Sequence, residues 1–186
     1  MPLRLDTRSP DFSERFRAFL GTKREVSADV AEAVAQIIDA VRQRGDEALI
    51  AFSKTFDRVD LGTRGIRVTA DEIADARRAC DAATLEALSF AHERIRAHHA
   101  RQLPTSGRYV DAAGVELGHR WTPVDAVGLY VPGGTAAYPS SVLMNAEPAN
   151  VAGDARLAIV VPAPDGVLNP LVLAAAELAG VDEVYR

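Results

Sequence analysis

A short apolar strand that runs into a glycine-rich turn is the part of this chain best suited to chemistry. Residues 127–135 read VGLYVPGGT, and a helix is predicted to begin near Pro139. Backbone N–H groups at such a strand–turn–helix junction can face an anionic or polar ligand, because a helix N-terminus carries a partial positive charge. Tyr130 lies at the lip of the turn. If the protein handles a nucleotide or another small molecule, we expect the site here.

The glycine spacing narrows the kind of site. Gly128 and Gly133 have the separation found in a phosphate-binding P-loop, but Gly134 stands where that loop carries its lysine. Without this cation a nucleotide triphosphatase is excluded, and the dinucleotide fingerprint G-x-G-x-x-G is absent from the chain. The alternative is a tight connection whose glycines supply positive φ angles. The pattern alone leaves the ligand loop and the tight connection open.

No catalytic residue can be named from the pattern. The four histidines lack the spacing of an H-E-x-x-H metal site, and no G-x-S-x-G is present. We expect His92 on a charged helix surface, Cys80 as a buried structural thiol, and Ser140 and Ser141 as caps of the helix after the turn. The carboxylates are expected on solvated helix faces. We therefore assign no catalytic residue and no metal ligand.

Composition indicates an ordinary soluble protein. The chain has 186 residues, of which 48% are hydrophobic and 25% charged, with a net charge of −5. A nucleic-acid-binding role is not expected, because no basic stripe could follow a phosphate backbone. No apolar run approaches the ~18 residues of a membrane span, so we expect a cytoplasmic location. A single cysteine excludes an intramolecular disulfide.

The first part of the chain is predicted to be helical. Ser27 or Asp29 can cap a helix that ends at Gly45, with an apolar face of Val30, Val34, Ile37, Ile38 and Val41. A second helix is predicted from Asp46, and a short strand at residues 66–68. Thr69 and Glu72 have the spacing of a capping box, which predicts a third helix as far as about Cys80. A fourth is predicted over residues 84–101.

Strands dominate the pattern of the later part. Alternating residues predict a hairpin that turns at residues 112–114, and two apolar runs, 126–131 and 157–161, predict strands covered on both faces. Helices are expected over 139–152, with an interruption or a new start at Pro148, and over 169–179, followed by a strand at Val184 and Tyr185. The order strand, helix, strand, helix, strand implies a parallel sheet.

We therefore predict the α/β class, with two regions. Residues 1–123 form a helical N-terminal region with a small β-hairpin, and residues 124–186 form an incomplete Rossmann-like α/β unit with the glycine-rich loop. Because the last predicted strand is followed at once by Arg186, we expect the chain to be a fragment with an incomplete sheet.

Several segments together carry a family resemblance. They are RGDEAL at 44–49, Phe56-Asp57, VGLYVPGGTAAYPSSVLM at 127–144, Pro148-Ala149, VAG at 151–153 and AGVDEVYR at 179–186. The chain resembles histidinol dehydrogenase in these segments, and the resemblance extends from about Val26 onward. The run VGLYVPGG and the residues after it are specific to the family in combination.

The resemblance implies a function. Family members oxidise L-histidinol to L-histidine in histidine biosynthesis, with NAD as oxidant and a zinc ion that holds the substrate, and they act as intertwined homodimers. The tyrosine of the GLYVPGG run contacts NAD in the family, which implies a cofactor-binding role for Tyr130. Pro132, Gly133 and Gly134 are further cofactor-binding candidates as its backbone neighbours.

The resemblance also implies what the chain lacks. It covers less than half of a usual family member, and the zinc ligands and the Glu-His acid–base pair are expected downstream, so the isolated chain is expected to be inactive. Glu147 departs from the family, because an apolar residue is expected before Pro148; if buried, Glu147 would need a partner. Alternatives are a related NAD-dependent alcohol dehydrogenase acting on sulfonated propanediols, a non-catalytic binding or assembly remnant, and a truncation product without a role.

Overall fold

The chain folds as two compact units. The computed structural model describes residues 3–132 and 138–186, without the side chains of residues 22–28. The first unit comprises residues 1–52 and the second residues 53–186. Helix α1 (Phe12–Arg44) and the larger part of α2 (Asp46–Phe56) belong to the first unit. The predicted domain boundary after residue 123 stays a prediction.

Helix α1 is longer than the sequence predicted. It begins at Phe12, after Asp11, and continues through the expected start at Ser27 or Asp29. Residues 12–44 contain no proline, so nothing in the backbone stops the helix before Gly45. Gly45 ends it as predicted, with a φ of 57° and its N–H donating to the carbonyl of Val41 at 2.7 Å. The predicted apolar face lies largely in solvent, since Val30, Val34 and Ile38 are exposed.

The second unit holds the remaining elements. Its helices are α3 (Leu61–Arg64), α4 (Ala70–Ala79), α5 (Ala82–His99), α6 (Pro139–Ala152) and α7 (Pro170–Leu178). Its strands are β1 (Gly107–Val110), β2 (Glu116–His119), β3 (Val127–Tyr130), β4 (Leu157–Val160) and β5 (Glu183–Tyr185). None of the helices in the described ranges combines the length and apolar character that a membrane crossing requires.

Side-chain caps fix where several of these helices begin. The predicted capping box is present at α4: the Glu72 N–H donates to Thr69 Oγ1 at 3.2 Å, and the Thr69 N–H donates to Glu72 Oε2 at 2.9 Å. Asp81 caps α5 by accepting from the Thr84 N–H, and Asn169 caps α7 by accepting from the Leu171 N–H. These caps satisfy N–H groups that have no partner inside the helix.

The predicted strand at residues 66–68 is wrong in extent. It is reduced to one antiparallel bridge between Arg67 and Tyr185. Gly65, with a φ of 87°, precedes the segment, and Thr69 already caps α4, so no room remains for a longer strand.

The predicted hairpin is confirmed. Strands β1 and β2 pair antiparallel, with Tyr109 opposite Leu117. The turn of the hairpin is stabilised by Asp111, whose Oδ1 accepts from the N–H groups of Ala113 and Val115 at 2.8 and 2.9 Å. Gly114 has a φ of 82°, which the tight turn requires.

The parallel sheet has the order β3-β4-β5, as the strand–helix alternation predicted. One of its faces carries the core, where Ile159 and Val184 pack with apolar residues of α6 and α7 such as Leu143 and Leu173. The expectation that β3 is covered on both faces is wrong for the described residues. Burial alternates along β3, so Gly128 and Tyr130 are exposed on the opposite face.

A buried arginine ties the end of β5 to the start of α4. The Arg186 side chain is fully buried and donates from Nη2 and Nη1 to the two carboxylate oxygens of Glu72, at 2.6 and 3.0 Å. Nη2 also donates to the carbonyl of Arg67 at 3.0 Å. These hydrogen bonds from Arg186 hold the pKa of Glu72 at about 2, against an ordinary value of 4.5.

Glu72→Gln tests this ion pair, because glutamine keeps the capping-box acceptor and removes the charge. We expect a loss of about 3 kcal/mol in unfolding free energy at pH 7, since a buried guanidinium is left uncompensated. The folded-state pKa of Glu72 lies below its unfolded value, so the stabilisation is complete above about pH 4.5 and is lost as pH falls through about 2. Denaturant unfolding measured between pH 7 and 2 should show the two proteins converging. Asp71→Asn, an exposed change in the same helical turn, is the control; an equal loss in both variants would contradict the assignment.

Candidate functional site

The carboxyl ends of the three parallel strands form one rim. Tyr130, Val160 and Tyr185 are in register across it and project to the same face of the sheet. Tyr130 is 64% exposed at the end of β3. Open α/β sheets bind ligands at this rim, because the loops that leave the strands and the helix N-termini converge there.

Helix α6 begins next to the rim with its N-terminus uncapped by a side chain. Tyr138 is the N-cap residue and makes no side-chain capping bond, and Pro139 opens the helix. The expectation that Ser140 and Ser141 cap α6 is wrong, because both lie inside its first turn. Proline is favoured at the first position of a helix, where Pro139 lies, because it has no N–H that would need a hydrogen-bond acceptor. The first turn holds no acidic residue, so the partial positive charge of the helix end is not offset within it.

The predicted cofactor-binding residues fall into two groups. Tyr130 and Pro132 are both exposed at the rim, on either side of Val131, which is fully buried. The Val131 N–H donates to the carbonyl of Val160 at 3.0 Å, which extends the β3–β4 pairing by one residue and fixes the direction in which Pro132 leaves the sheet. Gly133 and Gly134 lie outside the described residues. The cofactor-binding role of all four stays a prediction.

The sheet face that carries Tyr130 is open among the described residues. Gly128 and Tyr130 of β3 lie beside Ala158 and Val160 of β4, and Val160 is 45% exposed. A Cβ placed on Gly128 would meet no atom within 4 Å. The face is therefore flat, largely apolar and accessible. Small residues at positions 128 and 158, on the same side of neighbouring strands, are the sequence signal from which this open face could have been predicted.

A polar cluster borders this open face at β5. Arg156 donates to both carboxylate oxygens of Glu183, at 2.7 and 2.9 Å, and the Tyr185 hydroxyl donates to Glu183 Oε2. Hydrogen bonds from Arg156 and then Tyr185 lower the pKa of Glu183 to about 2. The same contact raises the pKa of Tyr185, because the carboxylate accepts the phenolic proton. Glu183 is thus a fixed anion, unsuited to proton transfer near neutral pH.

The structure corrects the expectation for His92. Its side chain is only 16% exposed and lies beside Glu147 of α6, with Nδ1 and Oε1 2.9 Å apart. His92 therefore belongs to the α5–α6 interface, away from the charged helix surface to which the sequence pattern assigned it. Cys80 is partly buried at the end of α4, where its thiol donates to the Ala76 carbonyl. Across the described ranges no group of three or more His, Cys, Asp or Glu residues could hold a metal ion.

Comparison with known proteins identifies relatives of the chain. A sequence profile of histidinol dehydrogenase matches residues 21–186. A histidinol dehydrogenase of Bradyrhizobium diazoefficiens is 62% identical over the whole chain, which spans 43% of that relative. One of Brucella abortus is 64% identical over 177 residues, 95% of the chain and 41% of the relative. The chain thus spans about two fifths of the length of these curated relatives.

A solved structure resembles the fold as well. The crystal structure of histidinol dehydrogenase from Elizabethkingia anophelis matches 84% of the chain and 36% of its own length, with a TM-score of 0.80 and 30% sequence identity. The arrangement of helices and strands described above is therefore similar to part of that enzyme.

Arg156→Gln should release Glu183 from its low pKa. The substitution removes the largest cause of the shift, so we expect the pKa of Glu183 to rise from about 2 towards its ordinary value of 4.5, while the Tyr185 contact keeps it from reaching that value. Carboxyl-carbon NMR during a pH titration measures the change. Arg108→Gln, which removes the exposed pair with Glu116 in the hairpin, should leave Glu183 unaffected. An unmoved pKa in Arg156→Gln would show that Arg156 does not control Glu183.

Proposed function

The chain belongs to the histidinol dehydrogenase family, and we propose that the protein which carries it oxidises L-histidinol to L-histidine with NAD as oxidant. The observation that carries the proposal is the exposed Tyr130 at the sheet rim, beside an uncapped helix N-terminus, in a chain that matches the family over residues 21–186. This activity, its substrate and its cofactor are those that the names of the relatives and the family resemblance imply.

In this proposal the described residues bind the cofactor and leave the chemistry to other parts of the protein. The aromatic ring of Tyr130 offers a flat apolar surface with a hydroxyl at its edge, which suits a planar heterocycle of NAD. The N-terminus of α6 offers a partial positive charge to an anionic group such as a pyrophosphate. NAD, when bound, supplies the acceptor for hydride from the alcohol carbon. Glu183 cannot serve as the general base, because its pKa of about 2 is far below the working range.

The zinc ion of the family does not fit the described residues. They contain no cluster of three potential ligands, so we assign no zinc ligand to them and derive no step through the metal.

A homodimer is also part of the proposal for the complete protein. The exposed apolar residues of α1 are compatible with burial in such an assembly.

Tyr130→Ala should weaken NAD binding by about three- to tenfold, the value of one aromatic stacking contact. Tyr130→Phe should keep most of the affinity, because the ring surface remains. A calorimetric titration of the complete protein with NAD gives the dissociation constants. Tyr109→Ala removes a similarly exposed tyrosine from the hairpin and is the matched control. Equal affinities in Tyr130→Ala and the unaltered protein would reject Tyr130 as a cofactor contact.

The 186-residue chain alone should show no turnover with histidinol, NAD and zinc, because its described residues form no group that could hold a metal ion and Glu183, beside the rim, has a pKa of about 2. The complete protein should reduce NAD with histidinol as substrate. NADH absorbance measures both. Turnover by the chain alone would refute the assignment of chemistry to other residues. Preference of the complete protein for a sulfonated propanediol would replace the substrate and leave the dehydrogenase class intact.

A further inference from the structure

Helix α6 buries a carboxylate at the edge of its apolar surface. Glu147 is 1% exposed, and the other buried residues of this helix are Val142, Leu143, Ala146 and Ala149. Burial of an ionised carboxylate without compensation costs several kcal/mol, so Glu147 needs a partner or a proton. An apolar residue would fill the same position without that need. The retained charge therefore calls for a structural explanation.

The partner comes from the neighbouring helix. His92 of α5 places Nδ1 2.9 Å from Glu147 Oε1. Both atoms are buried, and neither has a well-aligned hydrogen bond among the described residues, so their 2.9 Å approach is the polar contact that the structure shows for both. Part of the His92 ring still reaches solvent, whereas Glu147 does not. Glu147 consequently depends on His92 more than His92 depends on Glu147.

The rest of the α5–α6 interface offers little that is directional. Leu88, Ala91 and Ile95 of α5 join the same apolar cluster as Leu143 and Ala146 of α6. Apolar contacts among small and flexible side chains change little when one helix slides or rotates slightly against another. A buried polar pair, in contrast, stays in contact in one register only, and single buried polar residues can fix the alignment of packed helices in this way.

We propose that Glu147 and His92 form one positioning unit that fixes helix α6. Through this helix, the pair also fixes the N-terminus at Tyr138 and Pro139, next to the rim. Glu147 lies eight residues after Pro139, about 12 Å along the helix axis at the usual rise per residue. Pro148 follows inside the helix and lacks the N–H that would donate to the Met144 carbonyl, but the helical hydrogen bonds donated by residues 143–147 do not involve it. The register set at Glu147 is therefore transmitted to the first turn of α6. The link from this register to NAD affinity rests on the proposed function; the link to helix position does not.

Leucine substitutions in the complete protein test the pairing of His92 with Glu147. His92→Leu leaves a buried carboxylate without a partner and should raise the equilibrium constant for unfolding by about a hundredfold or more. Glu147→Leu should change it less than about tenfold, because the His92 side chain still reaches solvent, whereas that of Glu147 does not. The double variant should return to within about tenfold of the unaltered protein. Glu93→Leu, an exposed neighbour of His92, is the control and should have little effect.

His92→Gln keeps a hydrogen-bond donor at residue 92 and serves if His92→Leu does not fold. The loss of stability in His92→Gln should be smaller than in His92→Leu, and Glu147→Leu should again reverse it. Restoration of stability by the second substitution supports the pair. Additive losses, in which the double variant is the least stable, would overturn it.

Two further measurements separate positioning from stability alone. Amide hydrogen exchange at Ser141 and Val142, whose N–H groups donate to the Tyr138 carbonyl, should rise several-fold in His92→Gln under native conditions and return to its original rate when Glu147→Leu is added; unchanged exchange would overturn the positioning role. NAD affinity of folded His92→Gln should fall and be restored in parallel. Unchanged NAD affinity in that variant would break the link to the cofactor. If the unaltered protein binds no NAD, the proposed function fails, and hydrogen exchange still decides the positioning role.

Discussion

Burial of one face of the parallel sheet is the constraint on which the rest of the second unit depends. Ile159, Val161 and Val184 lie under α6 and α7, and small residues such as Ala146 and Ala175 let the helices approach the strands closely. Because this face must be covered, alternate residues of each strand face away from the helices. Tyr130, Val160 and Tyr185 project outward for that reason. The exposed rim is thus a by-product of the core, and the helix that covers the core also brings its N-terminus to the rim.

Much of the fold could be predicted because its local signals agree with its tertiary packing. Thr69 and Glu72 announce α4, Gly45 ends α1, and the two apolar runs become β3 and β4. The start of α1 could not be predicted from capping residues, because Ser27 and Asp29 are good caps that a longer helix simply passes through. Capping propensity is worth about 1 kcal/mol, which continued helical hydrogen bonding over neighbouring turns can exceed.

The position of Tyr130 could be predicted, because the apolar run at 126–131 indicates a strand and Tyr130 lies exposed at the end of β3. Its cofactor-binding role stays a prediction, and Gly133 and Gly134 lie outside the described residues. The pairing of His92 with Glu147 could not be predicted, since it joins residues 55 positions apart on helices whose packing no local pattern specifies. The same holds for Arg186 and Glu72. In both cases the sequence shows a charge with an unusual position, and the three-dimensional structure supplies the partner.

Strand β3 forms an edge of the sheet among the residues that the structure describes, and this position has a stereochemical consequence. Both connections in the sheet, from β3 to β4 and from β4 to β5, pass over the same face while the strands advance in one direction. Parallel crossovers in proteins of L-amino acids are right-handed almost without exception. A parallel strand that joined the sheet beside β3 after a return from β5 would advance in the opposite direction. Its connection would then have to pass over the other face, above Gly128 and Ala158. The chirality of the amino acids thus decides that further polypeptide joining the sheet in this way would cover the face that carries Gly128 and Ala158.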